Sequence, residues 1–264
     1  MSGGAITRTV TLLCVVLLVV PTVIVIAASF TSGNAIVFPP RGFSFHAYSD
    51  LLSDSDIRHP VLTSAYLGLV SVLVGLFVGV PGALALNRHR VRMRPLINAF
   101  LSLGFATPLV VSAVGYLLVF TELRMADSLT AVGFAIAVVN LPFMLWSVAA
   151  AIGDHNPELE EAASTLGAEE LKQFLLVTLP GIAPGIILGV FMMFIFAITE
   201  FTMSTILVTA EDATLPVYMF GSLRSVLSAE LAAIGSFYIL VCIVVFFVAV
   251  RVGNLEQFLF RTQK

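Results

Sequence analysis

HNPELEEAASTLGAEELKQFLLVTLP, residues 155–180, carries five glutamates and one lysine, yet it stands between two long apolar runs. Asn156 suits an N-cap, Pro157 suits the first helical position, and Glu158, Glu160 and Glu161 place negative charge where a helix dipole favours it. A short helix is expected to start here. Gly167 can take the left-handed conformation that ends such a helix, after which AEELKQFLLVTL offers a second helical segment that Pro180 should break. The stretch therefore reads as helix, glycine turn, helix, lying outside the hydrocarbon. Packed helices are commonly joined by only about 2–8 residues, so a mere connector has no need of this much structure. On spacing alone, a solvated amphipathic loop is the simpler alternative.

Composition frames that block. Of the 264 residues, 59% are hydrophobic and 11% charged, and the mean hydropathy is +1.05, values that belong to an integral membrane protein. A formal charge of -3 gives no general attraction to nucleic acid or anionic lipid. Cys14 and Cys242 fall inside apolar runs and read as packing residues, and two cysteines do not make the usual zinc site.

A helix needs about twenty apolar residues to cross a bilayer. Six windows meet this, at 10–30, 61–87, 96–121, 128–153, 181–210 and 231–250, and Glu200 is the one charged residue within them. Strands of a membrane barrel would be shorter and alternating. The fold class is therefore all-α, an integral membrane chain of six transmembrane helices forming one domain. The first window follows Arg8 and ends near a small-residue AAS, as a secretory signal would. Its length exceeds that of a signal core, so it reads as an uncleaved first helix.

Positive residues in short loops stay cytoplasmic. With the N-terminus inside, cytoplasmic segments hold Arg8, Arg88, Arg90, Arg92, Arg94, Lys172, Arg251, Arg261 and Lys264, against Arg41, Arg58, Arg124 and Arg224 outside. The cluster NRHRVRMRP at 87–95 is thus a topology signal rather than a nucleic-acid patch. Both termini, and the loop 154–180, are expected in the cytoplasm.

EAASTLGAEELKQFLLVTLP resembles the signature of membrane subunits of ABC importers: Glu-Ala-Ala, three residues, Gly, nine residues, Ile-x-Leu-Pro. Glu161, Ala162, Ala163, Gly167, Leu179 and Pro180 match it, with Val177 in place of isoleucine. AASF, PPRGFSFHAYSDLL, the arginine-rich turn and TLPVYMFGSL resemble the permease of spermidine/putrescine-type importers along nearly the whole chain. The resemblance implies the type I importer permease fold in a bacterial-type inner membrane. It implies that 154–180 is a coupling loop whose first helix docks in a groove of a cytoplasmic ATPase, through Glu160, Glu161, Ala162, Ala163, Leu166 and Gly167. Its implied partners are a second permease subunit in a heterodimer, two ATP-binding subunits, an extracytoplasmic solute-binding protein and membrane lipid. No cofactor is expected on this chain, ATP and Mg being held by the partner subunits. A polyamine-like solute is implied, with iron, thiamine, phosphonate or opine carried by related permeases. Small Ala162 and Ala163 permit close approach of such a partner and Glu161 can pair with a basic group.

A phosphate-cradling G-x-x-x-x-G-K-[ST] loop is not in the sequence, so this chain is not expected to hydrolyse ATP. His46, His59, His89 and His155 lack metal-ligand spacing and read as surface residues. A nucleophile, histidine and carboxylate constellation cannot be picked out, which disfavours a membrane enzyme. A self-contained secondary carrier or channel is the rival from another class, and the inverted repeat that many carriers show is not evident.

Two outer segments, 31–60 and 211–230, remain. Asp50, Asp54, Asp56 and Arg224 within them are candidates for docking the solute-binding protein, with solvated connectors as the plainer reading. Glycine spacings at 75 and 79 and at 181, 185 and 189 suit close helix contact. Pro108, Pro142 and Pro184 are expected to kink their helices. Glu200 is expected inside the fifth helix, toward its outer half. With Thr199, Thr202 and Ser204 it is a candidate pathway group meeting a cationic solute, or alternatively a cap on the outer end of the helix or a partner for an arginine of the second permease subunit.

Overall fold

A computed structural model describes residues 2–33, 35–36, 38–88, 93–225 and 228–253. His89, Arg90, Arg92, Arg261 and Lys264, all used above, lie outside them. Apart from one antiparallel bridge between Ala35 and Ser228, the regular structure of the described residues is helical, confirming the all-α class. In order these are α1 (Ser2–Ala28), α2 (His46–Ser53), α3 (Ser55–Val74), α4 (Val80–Arg88), α5 (Arg94–Ala106), α6 (Leu109–Glu122), α7 (Leu129–Asp154), α8 (Glu158–Thr165), α9 (Glu170–Gln173), α10 (Leu179–Thr199), α11 (Thr202–Leu207), α12 (Leu215–Ser225) and α13 (Ala229–Gly253). Five runs are long and apolar enough to cross a membrane, Ile6–Ala28, Ser55–Arg88, Leu129–Asp154, Glu170–Thr199 and Ala229–Arg251, while Leu109–Glu122 is a shorter apolar helix.

Two windows differ from expectation, each for a local reason. The third, read as one span, is two helices. Proline drives the residue before it out of the helical region, and Thr107 is accordingly extended at ψ 129°, with Pro108 at ψ 127°. The fifth starts earlier and ends sooner: helix runs from Glu170 to Thr199, and the backbone turns extended at Glu200, ψ 120°.

Pro180 was expected to break this run and does not. Immediately before it, Phe174–Thr178 widens into a π-turn in which the Leu179 N–H reaches back to the Phe174 carbonyl. A proline ring collides with the carbonyl four residues back and lacks an N–H of its own. Inserting one residue into the turn removes both conflicts without ending the helix. The same solution recurs before Pro81, where Gly75–Gly79 forms a π-turn closed by the Val80 N–H on the Gly75 carbonyl. Thus α3 runs into α4, and α9 into α10.

The chain divides into two compact units, Met1–Arg58 with Tyr218–Ile243, and His59–Val217 with Val244–Lys264. In the first, Phe30 stacks on Phe43 with ring centroids 5.0 Å apart and lies edge-on to Phe45, and the Tyr48 hydroxyl is 2.6 Å from Ser29 Oγ. Helix α1 keeps most of its apolar side chains exposed, and Cys14 is exposed on it, contrary to the packing role expected; Cys242 is half-buried. In the second unit α7 is the axis. Ala135, Ile136, Ala137, Met144 and Val148 are fully buried along it. Packing is closest where glycines remove side chains. A Cβ at Gly185 would lie 2.5 Å from the Ser147 carbonyl oxygen and 2.5 Å from Ala151 Cβ, one at Gly189 2.5 Å from Met144 Sδ, and one at Gly79 2.7 Å from Met144 Cγ. Of the glycines whose spacing was noted in the sequence, Gly79, Gly185 and Gly189 are thus contacts with α7, while Gly75 faces Met193 of α10 and Gly181 the His155 ring.

Candidate functional site

The connection between α7 and α10 is built as its residues dictate. Asn156 Oδ1 accepts from the Glu158 N–H at 3.0 Å, capping α8, and Pro157 has helical angles, φ -65° and ψ -23°. At the other end Gly167 sits at φ +79°. The Ala168 N–H bonds the Ala163 carbonyl at 3.0 Å and the Gly167 N–H bonds the Ser164 carbonyl at 2.9 Å. This pair of bonds is the Schellman closure, which needs a left-handed residue at its centre. The turn between α8 and α9 is thus fixed by backbone geometry.

The candidate residues of α8 divide between two faces. Leu159, Ala162 and Leu166 follow helical spacing on an exposed face, and Glu161 is exposed beside it; Leu166 is 88% exposed, unusual for an apolar side chain beside so many charges. Glu160 and Ala163 occupy the other, half-buried face. The Glu160 carboxylate, grouped in the sequence with the ATPase contacts, is turned into the protein. Its Oε1 takes a short hydrogen bond from Arg88 at the end of α4 and another from the Thr178 hydroxyl at 2.6 Å. His155 Nε2 lies 3.3 Å away. Arg88 Nη2 also donates to Thr178 Oγ1 at 3.1 Å, closing a triangle of three side chains. Thr178 is fully buried and the His155 side chain only 9% exposed. His155 is therefore not the surface residue expected, because Gly181 leaves room for its ring on the face of α10.

Sequence reasoning missed Arg88, His155 and Thr178. Arg88 registered only as topology, while Glu160 stands three residues from Ala163 on the inward stripe, the periodic signal that would have separated it from Glu161.

Burial would push the Glu160 carboxyl up, but the Thr178 hydrogen bond and the Arg88 and His155 charges outweigh it and hold the group below the ordinary carboxylate range. A lowered pKa contributes stability above the unfolded value, and that contribution is lost as pH falls through the folded one. Melting temperature in detergent should therefore fall on acidification below about pH 4.5, and the Glu160→Gln variant should lose part of that fall. Parallel curves for the two proteins would contradict the assignment.

The other candidates lie apart from this loop. In the first unit His46 Nδ1 pairs with Asp50 at 2.6 Å, Asp54 Oδ1 accepts from the Asp56 N–H at 2.8 Å, and the Arg224 guanidinium covers the Phe220 ring at 4.6 Å. Asp50 and Glu230 share the wall of a cavity of about 330 Å³ with Thr31, Ser32 and His46. In the second unit Glu200 ends α10, and its two oxygens accept from the Met203 and Ser204 N–H groups at 2.7 and 2.8 Å. The carboxylate thereby satisfies free amides at the start of α11. Ser204 is buried, Thr202 half-buried, and the exposed Thr199 hydroxyl returns to the Ile195 carbonyl at 2.7 Å. Among the described residues there is no group of three histidine, cysteine or acidic side chains placed to hold a metal.

The helices long and apolar enough to cross a membrane, together with the matches to known proteins, place the chain among the permease subunits of ABC importers. The chain belongs to the family of binding-protein-dependent transport system inner membrane components, whose profile matches residues 71–254. It is 31% identical over 181 residues to a putative ABC transporter permease protein of Streptomyces antibioticus, covering 68% of this chain and 79% of that one. It is 27% identical to a spermidine/putrescine transport system permease protein PotC homolog of Mycoplasma genitalium, over 88% of this chain and 85% of the relative. A sulfate transport system permease protein CysT of Salmonella typhimurium is 29% identical over 64% of this chain and 65% of its own. Among solved structures, a bacterial ABC transporter involved in import of the acidic polysaccharide alginate superposes at TM-score 0.66 with 20% identity, covering 95% of both chains. The MetNI methionine ABC transporter superposes at 0.64 with 16% identity, over 75% of this chain and 94% of that one. These two establish a shared fold.

Proposed function

We propose that the chain is one half of the translocation pathway of an ATP-driven, binding-protein-dependent importer, and that the outward face of α8 is where an ATP-binding subunit docks. The observation that carries this reading is the exposed stripe of Leu159, Ala162 and Leu166 flanked by Glu161, on a helix tied at its back and closed by a fixed turn. The remaining partners are a second permease subunit, a second ATP-binding subunit and an extracytoplasmic solute-binding protein, the last meeting the acidic segment with Asp50, Asp54 and Asp56. A polyamine-like solute is favoured by the extent of the likeness to the spermidine/putrescine relative, which spans more of both chains than the likeness to the sulfate relative.

Because Glu161 and Leu166 are exposed, changing them leaves the packing of this chain intact. Glu161→Lys and Leu166→Asp are each expected to reduce capture of the ATP-binding subunit by about tenfold or more in a pull-down, through a reversed charge and a lost apolar anchor respectively. Unaltered capture in both would reject the docking face. Uptake assays with labelled spermidine, with and without ATP and the binding protein, test the wider reading; uptake by this chain alone, independent of ATP, would sink it.

A further inference from the structure

If α8 is the docking helix, something must prevent it from yielding when the ATP-binding subunit moves. Eight residues make little over two turns, too short to be stable alone, and no residue of α8 is fully buried. Its inner face is instead held by polar contacts. We propose that Glu160 is a positioning residue for transport, fixing α8 at once to the ends of three membrane helices. The inference rests on the docking role proposed for the outward face, but concerns the opposite one.

Each contact reaches a different element. Arg88 is the last residue of α4, His155 follows the last residue of α7, and Thr178 closes the π-turn that leads into α10. One carboxylate oxygen therefore gathers onto the first turn of α8 the ends of α4 and α10, by hydrogen bonds, and of α7, by the 3.3 Å approach of His155 Nε2. The Thr178 hydroxyl has a defined polarity, donating its proton to Glu160 while accepting from Arg88. Charge-assisted bonds of this kind are short and directional, and the buried hydroxyl makes the triangle sensitive to a single group. With this oxygen occupied from within, Glu160 differs in kind from Glu161, whose carboxylate is free for a partner's basic group. Load applied to the exposed face would thereby reach three helices together instead of bending the loop.

The test uses the complete importer in proteoliposomes, comparing wild type with Glu160→Gln, Thr178→Val and Thr178→Ser. Subunit stoichiometry and KM for ATP should stay within about twofold of wild type for all three, while uptake per ATP hydrolysed falls about tenfold in Glu160→Gln and Thr178→Val. Thr178→Ser, which keeps the hydroxyl, should restore uptake to within about twofold. On the chain alone in nanodiscs, Glu160→Gln should raise amide hydrogen exchange of residues 161–165 about tenfold. Unchanged uptake in Glu160→Gln overturns the inference, as does loss of the ATP-binding subunits in proportion to uptake, which would make Glu160 a docking contact. A serine variant as defective as the valine one also overturns it. Should the wild-type complex show no ATP-dependent uptake, the proposed function fails, and unchanged exchange in Glu160→Gln would dispose of the tie separately.

Discussion

Gly185→Ala is expected to melt about 2–4 °C below wild type, although alanine is the better helix former. The gain in propensity is roughly 1 kcal/mol. Against it, the added methyl would lie 2.5 Å from the Ser147 carbonyl oxygen and 2.5 Å from Ala151 Cβ. Neither neighbour is the end of a flexible side chain: one is backbone of α7 and the other a Cβ, so relief requires moving one helix off the other. Forced overpacking of this kind costs about 1–3 kcal/mol or more, and the axis of the second unit is where such a displacement spreads furthest. Gly115→Ala is the control, because a Cβ there meets nothing within 4 Å and only the propensity gain applies. Thermal unfolding of the two purified variants in the same detergent decides the matter. Equal melting temperatures would show that α7 and α10 are not packed as described.

Gly167→Val should leave the protein inserted and folded while abolishing most uptake. Space is not the obstacle, since a Cβ at this position would touch nothing within 4 Å. Conformation is. At φ +79° an L-residue strains by about 1–2 kcal/mol, and a β-branched one by more. The Schellman closure would open and α8 would lose its angle to α9. Gly167→Asn separates strain from any other effect, because asparagine tolerates the left-handed region. Uptake near wild type in the asparagine variant and about tenfold lower in the valine variant is the expected pattern. Equal uptake in both would mean that the turn carries no mechanical role.

Much of this molecule is legible from local rules. The cap at Asn156, the proline at 157 and the left-handed Gly167 are each set by residues adjacent in sequence, and the membrane class follows from composition alone. What local rules could not supply is the partner of a polar group. Glu160 and Glu161 are neighbours with the same chemistry, and only the tertiary placement of Arg88, 72 positions earlier, makes one an anchor and leaves the other free. Glu200 is similar. A lone acid in an apolar window reads as a costly intramembrane charge until the backbone is seen to break there and present two amides to it. Prolines are accommodated in more than one way, Pro142 and Pro184 standing inside α7 and α10 with no widened turn immediately before them. Before Pro108 the chain leaves the helix, whereas before Pro81 and Pro180 it inserts a residue and continues.

That inserted residue alters how the long helices should be read. An α-helix advances about 100° per residue, so one extra residue in a turn shifts the phase of everything beyond it by roughly that angle. Side chains of α3 and α4, or of α9 and α10, that would share a stripe on one continuous helical wheel point in different directions across the π-turn. A cysteine-accessibility scan along Ser55–Arg88 or Glu170–Thr199 would accordingly trace two sine waves out of step, with the break at Gly75–Gly79 and at Phe174–Thr178. The azimuth at which Arg88 meets Glu160 is set by that offset. Deleting a single residue from Gly75–Gly79 would let the turn close as ordinary α-helix and leave the guanidinium near its present azimuth, whereas a deletion within the α-helical part of Ser55–Val74 would swing it by about 100°.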